Sequence, residues 1–158
     1  YISRNNGVML ISSGKIRQSN EGCACTMNSI LKQFIKHLTV GENEVVLLDM
    51  EAGVEHFGRG VDNSVDLILM IVDPSFESLK LTKKIQQLGD SIGKTVFFVL
   101  NKVNELVLPT MLESIDDQSK VLAVISTDTE IARKGLVGDE LMMEIPEIHM
   151  LARKILKQ

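Results

Sequence analysis

No stretch of the 158 residues approaches the roughly 18 consecutive apolar residues that a membrane-crossing helix needs, and the first residues lack the layout of a signal peptide. The chain is accordingly expected in the cytoplasm, with no membrane partner. Positive charge is also in short supply: 17 Lys and Arg against 21 Asp and Glu leave a formal net charge of -4. A nucleic-acid surface would need a basic patch or stripe, and the short basic runs at 32–37 and 153–157 read as solvated helix faces. No nucleic-acid partner is expected. Cysteine is limited to Cys23 and Cys25. Two thiols one residue apart cannot build a disulfide framework, and inside a cell they point to metal binding or redox work. With 3 prolines, 11 glycines and 44% hydrophobic residues, the composition is that of one ordinary globular domain, expected to span 1–158. The chain begins at Tyr1 rather than at a methionine, so an upstream segment is expected.

Unbroken apolar runs dominate what is present. Residues 7–11 form a short one, followed by the turn-like Ser12, Ser13 and Gly14. Residues 44–50, 66–72 and 95–100 form three more, and 120–125 a slightly more polar fifth. Without alternation, such runs fit strands buried on both faces. Helical spacing appears between them, at 26–38, 75–88, 108–115 and 129–134, and again from Pro146 to the end, since proline is tolerated in a first turn. Strands alternating with helices predict an α/β fold, a parallel sheet covered on both faces.

Ligands of open parallel sheets bind beyond the carboxyl ends of the strands. The residues standing there are Asp49 to Gly53, then Asp73, Pro74 and Ser75, then Asn101 and Lys102, and finally Ser126, Thr127 and Asp128. An aspartate ending a buried strand before a glycine-containing turn is how phosphate-hydrolysing folds hold magnesium, and Asp49 with Gly53 fits that arrangement. Asn101 carries the paired donor and acceptor that can read a base edge. Each group also has a plainer reading as a turn or helix cap, above all Ser75 in Asp-Pro-Ser. The phosphate-cradling motif Gly-x-x-x-x-Gly-Lys-Ser/Thr does not occur. GDSIGKT at 89–95 imitates it, but it leads from a helix into a strand, the reverse of the order that aims a helix amino terminus at an anion. Cys23 and Cys25 just precede a helix, where thiolate is favoured. Two sulfurs leave a tetrahedral ion two ligands short, so either a two-fold dimer supplies four or the pair is simply packed.

The segment LLDMEAGVEHFGRG at 47–60 resembles the switch region of the CooC family, the nickel-insertion ATPases of carbon monoxide dehydrogenase. EGCACTMNSILKQFIKHL at 21–38 resembles that family's C-x-C segment and following helix, and VDPSFESL and FVLNKV resemble its later strand ends. The resemblance is specific from Gly7 to Val103 and more general beyond. It implies a three-layer P-loop NTPase fold of the MinD and nitrogenase iron protein class, whose first strand and phosphate loop precede the region present. It also implies a homodimeric ATPase using ATP or ADP with magnesium, and carbon monoxide dehydrogenase as client. Asp49 then belongs to the magnesium shell, and Glu51 and Gly53 to a switch loop beside the terminal phosphate. Asn101, Lys102 and Thr127 fall to the nucleotide, and Cys23 and Cys25 to nickel or zinc between subunits. Glu55, His56 and Arg59 match the family string without an assigned role. Alternatives remain open: a non-enzymatic regulatory or dimerisation module, or a MinD-type positioning ATPase.

Overall fold

The computed structural model describes residues 2–12, 33–50, 54 and 64–157. The chain divides into two compact units, Tyr1–Ser64 and Val65–Gln158. In the first, Ile2–Asn5 (β1) and Val8–Ile11 (β2) pair antiparallel, with Ile2 opposite Ile11 and Asn5 opposite Val8. Asn6 and Gly7 connect them at φ 47° and 81°. A two-residue hairpin turn matching the strand twist needs positive φ at both positions, which Asn and Gly adopt at least cost. The strand expected at 7–11 therefore forms, but as one arm of a separate two-stranded hairpin and not as a member of the parallel sheet.

Residues 33–36 are helical and bury Ile35, in agreement with the helix expected at 26–38, whose first part lies outside the described residues. The strand expected at 44–50 is a correction. That run has no strand structure, and Val45, Val46 and Leu47 are exposed, Leu47 at 84%. Apolar side chains do not make a strand by themselves: the backbone N–H and C=O groups need a neighbouring ladder, and no described strand pairs with this run.

The second unit carries Leu67–Val72 (β3), Phe76–Ser91 (α1), Thr95–Val103 (β4), Leu108–Glu113 (α2), Val121–Ser126 (β5), Thr129–Val137 (α3) and Pro146–Ile155 (α4). The three strands form one sheet in the order β3-β4-β5, every neighbour parallel. Parallel strands require crossovers, and α1 and α2 supply them. Central β4 is covered on both faces, which is why its sequence does not alternate. On one side Val96 meets Gly89 of α1. On the other, Val99 clusters with Leu122 of β5 and Leu151 of α4, with Leu69, Phe97 and Ile155 packed around them. Helix starts follow their caps. Ser75 Oγ accepts from the Ser78 amide at 3.2 Å, and Asp128 Oδ1 from the Glu130 and Ile131 amides at 2.7 and 2.9 Å. At the far end of α1's buried face, the fully buried Thr82 places its hydroxyl 2.8 Å from the Ser114 carbonyl, tying α1 to the end of α2.

Gly89 shows how tight the α1–β4 contact is. A Cβ there would lie 2.3 Å from Val96 Cγ2 and 3.0 Å from the Lys94 carbonyl oxygen. Gly89→Ala is expected to destabilise the unit by about 1–3 kcal/mol through overpacking. Gly135→Ala, on α3 with nothing within 4 Å of the added carbon, is expected to stabilise it by about 0.5–1 kcal/mol through helix propensity. Urea denaturation of the two variants checks the opposite signs.

Candidate functional site

The carboxyl ends of β3, β4 and β5 form the rim on which the second unit's candidate residues stand. β3 ends at Val72, and Asp73 follows it directly. β4 does not stop at Leu100, as its apolar run suggests, but continues to Val103. Asn101 and Lys102 therefore lie within the strand and not after it, a second correction. They form an irregularity in its pairing: Leu100 stands opposite Val124 and Val103 opposite Ser126, so β4 carries one more residue than β5 over this stretch. Such a bulge breaks the alternation of side chains. Lys102 takes a left-handed backbone at φ 54°, which a residue with a Cβ adopts only at some cost.

Both neighbours consequently reach one carboxylate. Asn101 Nδ2 donates to Asp73 Oδ1 at 2.9 Å, and Lys102 Nζ donates to Asp73 Oδ2 at 2.5 Å. Asp73 is itself held from behind, its amide donating to Ser78 Oγ at 3.1 Å and its carbonyl accepting from the Ser75 amide at 2.8 Å. The Lys102 side chain is 62% exposed and that of Asp73 40%, so the group opens to solvent. Thr127 follows β5, its amide donating to the Val103 carbonyl at the end of β4 at 2.9 Å. Asp128 is occupied as the cap of α3. At the opposite rim, before β5, the hydroxyl and amide of Ser119 hold the Asp117 carboxyl below its usual range.

The sequence-derived site residues thus divide. Asn101 and Lys102 come together on Asp73, a residue that the sequence offers only as a turn group, and Thr127 is bonded to the end of the same strand. Asp49 lies in the first unit, exposed and outside any strand. Cys23, Cys25, Glu51 and Gly53 lie outside the described residues, as do Glu55, His56 and Arg59. Among the described residues no group of three or more His, Cys, Asp or Glu is placed to hold a metal ion. No described helix is long and apolar enough to cross a membrane.

A parallel α/β sheet flanked by helices, with polar side chains gathered at its carboxyl ends, is consistent with a P-loop NTPase-like fold. In sequence the chain is homologous to ATP-binding proteins. It is 44% identical over 148 residues to an uncharacterized ATP-binding protein of Methanocaldococcus jannaschii, covering 94% of this chain and 59% of that one. A second uncharacterized ATP-binding protein of the same organism is 31% identical over 140 residues, covering 87% and 54%. The carbon monoxide dehydrogenase accessory protein CooC of Rhodospirillum rubrum is 32% identical over 133 residues, covering 84% and 51%. The chain thus spans only about half the length of these relatives. No family model matches it.

Proposed function

We propose that this chain is part of an ATP-dependent accessory protein for nickel insertion into carbon monoxide dehydrogenase. The observation that carries the nucleotide half of this reading is the convergence of Asn101 and Lys102 on the Asp73 carboxylate at the rim of a parallel sheet, with Thr127 bonded to the end of the same strand at Val103. The homology to ATP-binding proteins supports it, and the similarity to CooC, an accessory protein of carbon monoxide dehydrogenase, suggests the client.

The residues fit an adenine nucleotide. Asn101 is half-buried, is held on one side by Asp73, and keeps an acceptor and a donor for a base edge. In this proposal Asn101 holds the adenine, with Lys102 and Thr127 beside the nucleotide. Asp49 belongs to the magnesium shell, and Glu51 and Gly53 to the loop near the terminal phosphate. Cys23 and Cys25 of two copies bind nickel or zinc between them in a homodimer of the MinD-like type. Magnesium supplies charge neutralisation at the phosphates. Because Gly-x-x-x-x-Gly-Lys-Ser/Thr does not occur in these residues, the chain by itself is expected to bind nucleotide weakly and to hydrolyse none.

Weak binding is best read residue by residue. Titration of the isotope-labelled chain with magnesium ADP is expected to shift the backbone amide resonances of Asp73, Asn101, Lys102 and Thr127 and the side-chain amide resonances of Asn101. Asn101→Ala is expected to lower the affinity by roughly tenfold, the order of one lost pair of base contacts. Absence of any shift at these residues at millimolar ADP refutes the nucleotide reading.

A further inference from the structure

We infer that Asp73 fixes the base selectivity of this rim by locking the orientation of the Asn101 amide, so that it accepts adenine and disfavours a 6-oxo purine. The inference rests on the nucleotide reading above and assigns a positioning role to a residue that does not itself touch the base.

A carboxamide can sit in two ways, related by a flip that exchanges its oxygen and its nitrogen. At this rim only one is compatible with its surroundings. Asn101 Nδ2 lies 2.9 Å from Asp73 Oδ1. The flipped amide would bring Oδ1 against a carboxylate oxygen, two acceptors in contact with no proton between them. The carboxylate is also placed by its backbone, whose amide donates to Ser78 Oγ and whose carbonyl accepts from the Ser75 amide, and its other oxygen faces Lys102 Nζ at 2.5 Å. The amide is thus left with Oδ1 as a free acceptor, which no donor among the described residues reaches, and with one remaining N–H as a donor.

That pair is chemically selective. On its outer edge adenine presents an N6 amine donor beside the N7 acceptor, whereas guanine presents two acceptors, O6 and N7, and a 6-oxo purine such as hypoxanthine carries the same O6 and N7. The locked amide satisfies both groups of adenine. With the 6-oxo base it satisfies N7 only and sets Oδ1 against O6. A site whose polar groups are matched to one ligand rejects the analogue that leaves them unpaired.

The backbone supports a role beyond stability. Two consecutive residues reach one carboxylate only because the bulge places Lys102 in the left-handed region at φ 54°, a conformation that a lysine does not favour and that tends to persist at functional sites. The contact it secures is an ion pair whose side chains are 62% and 40% exposed, and pairs this open to solvent contribute little to stability.

The test compares ADP with inosine diphosphate, which on the N7 edge differ only by the 6-amine and 6-oxo groups, the 6-oxo base also carrying a proton on N1, using the Asn101 amide resonances of the full chain as the readout. The wild-type chain is expected to bind ADP at least about tenfold more tightly. Asp73→Asn, whose own amide can donate to a flipped Asn101, is expected to bring the ratio close to one. Should Asp73→Asn fail to fold, judged from its amide spectrum, the wild-type ratio decides alone. Equal wild-type affinities, or an unchanged ratio in a folded Asp73→Asn chain, overturn the inference and leave nucleotide binding standing. No response to either nucleotide overturns both.

Discussion

Phe98→Ala is expected to remove about 3–5 kcal/mol from the stability of the unit formed by Val65–Gln158. Phe98 lies on β4, the central strand, and is 2% exposed. Its neighbours along the strand, Val96, Val99 and Leu100, are fully buried, so the chain around the vacated ring has little room to collapse into it. Domains are held by only about 5–15 kcal/mol in total, and a loss of this size leaves the variant unfolded in part at ordinary temperature. Ile71→Ala on β3 is the control. Ile71 is 52% exposed, and its truncation is expected to cost under about 1 kcal/mol. Urea denaturation curves of the two variants supply the comparison. A Phe98→Ala midpoint no lower than that of Ile71→Ala contradicts a sheet centred on β4. On the proposed nucleotide reading the same loss is also expected to weaken binding, since Asn101 and Lys102 stand a few residues further along the strand that Phe98 anchors.

The strands of this sheet are legible in the sequence for the reason that makes Phe98 costly to remove. A strand covered on both faces needs apolar groups on both, so β3 and β4 read as unbroken runs. The starts of α1 and α3 are legible through Ser75 and Asp128, whose side chains do what capping residues do. The imitation phosphate loop at 89–95 is a connecting turn, with Gly93 at φ 67° and the Lys94 amide donating to the Gly89 carbonyl. Chain direction, strand after loop and not helix after loop, was the deciding signal. Apolarity misled at 44–50, where side-chain composition says nothing about whether a partner strand is at hand. The hairpin of β1 and β2 had a sequence signal, Asn6-Gly7, that apolar periodicity passes over.

The rim was legible in part. Parallel topology predicts that residues following adjacent strands become neighbours, and so brings Asp73 near Asn101, 28 positions away. What no local pattern announces is the bulge. Lysine has no preference for a left-handed backbone, so the placement of Lys102 on the same carboxylate as Asn101 is a property of the assembled sheet. A regular strand would have sent the two side chains to opposite faces.

On the proposed metal site, replacing Cys23 and Cys25 together by serine is expected to abolish nickel and zinc binding. The argument is one of ligand chemistry. Thiolates are strong ligands for zinc and other soft-tolerant divalent metals, whereas a serine hydroxyl stays protonated near neutral pH and offers only a weak neutral oxygen. The stoichiometry separates a shared site from a local one. A chain supplying two sulfurs to a four-coordinate ion must find two more, and a two-fold pair of chains supplies them, giving one ion per two chains. Calorimetric titration with zinc or nickel, together with sedimentation in the presence and absence of metal, is expected to show half an ion per chain and metal-dependent dimerisation, both lost in the double variant. One ion per chain without dimerisation would place the site within a single copy. Full retention of metal by the double variant would remove the cysteines from the proposal, while leaving the nucleotide rim, carried by Asp73, Asn101, Lys102 and Thr127, to stand or fall on its own titration.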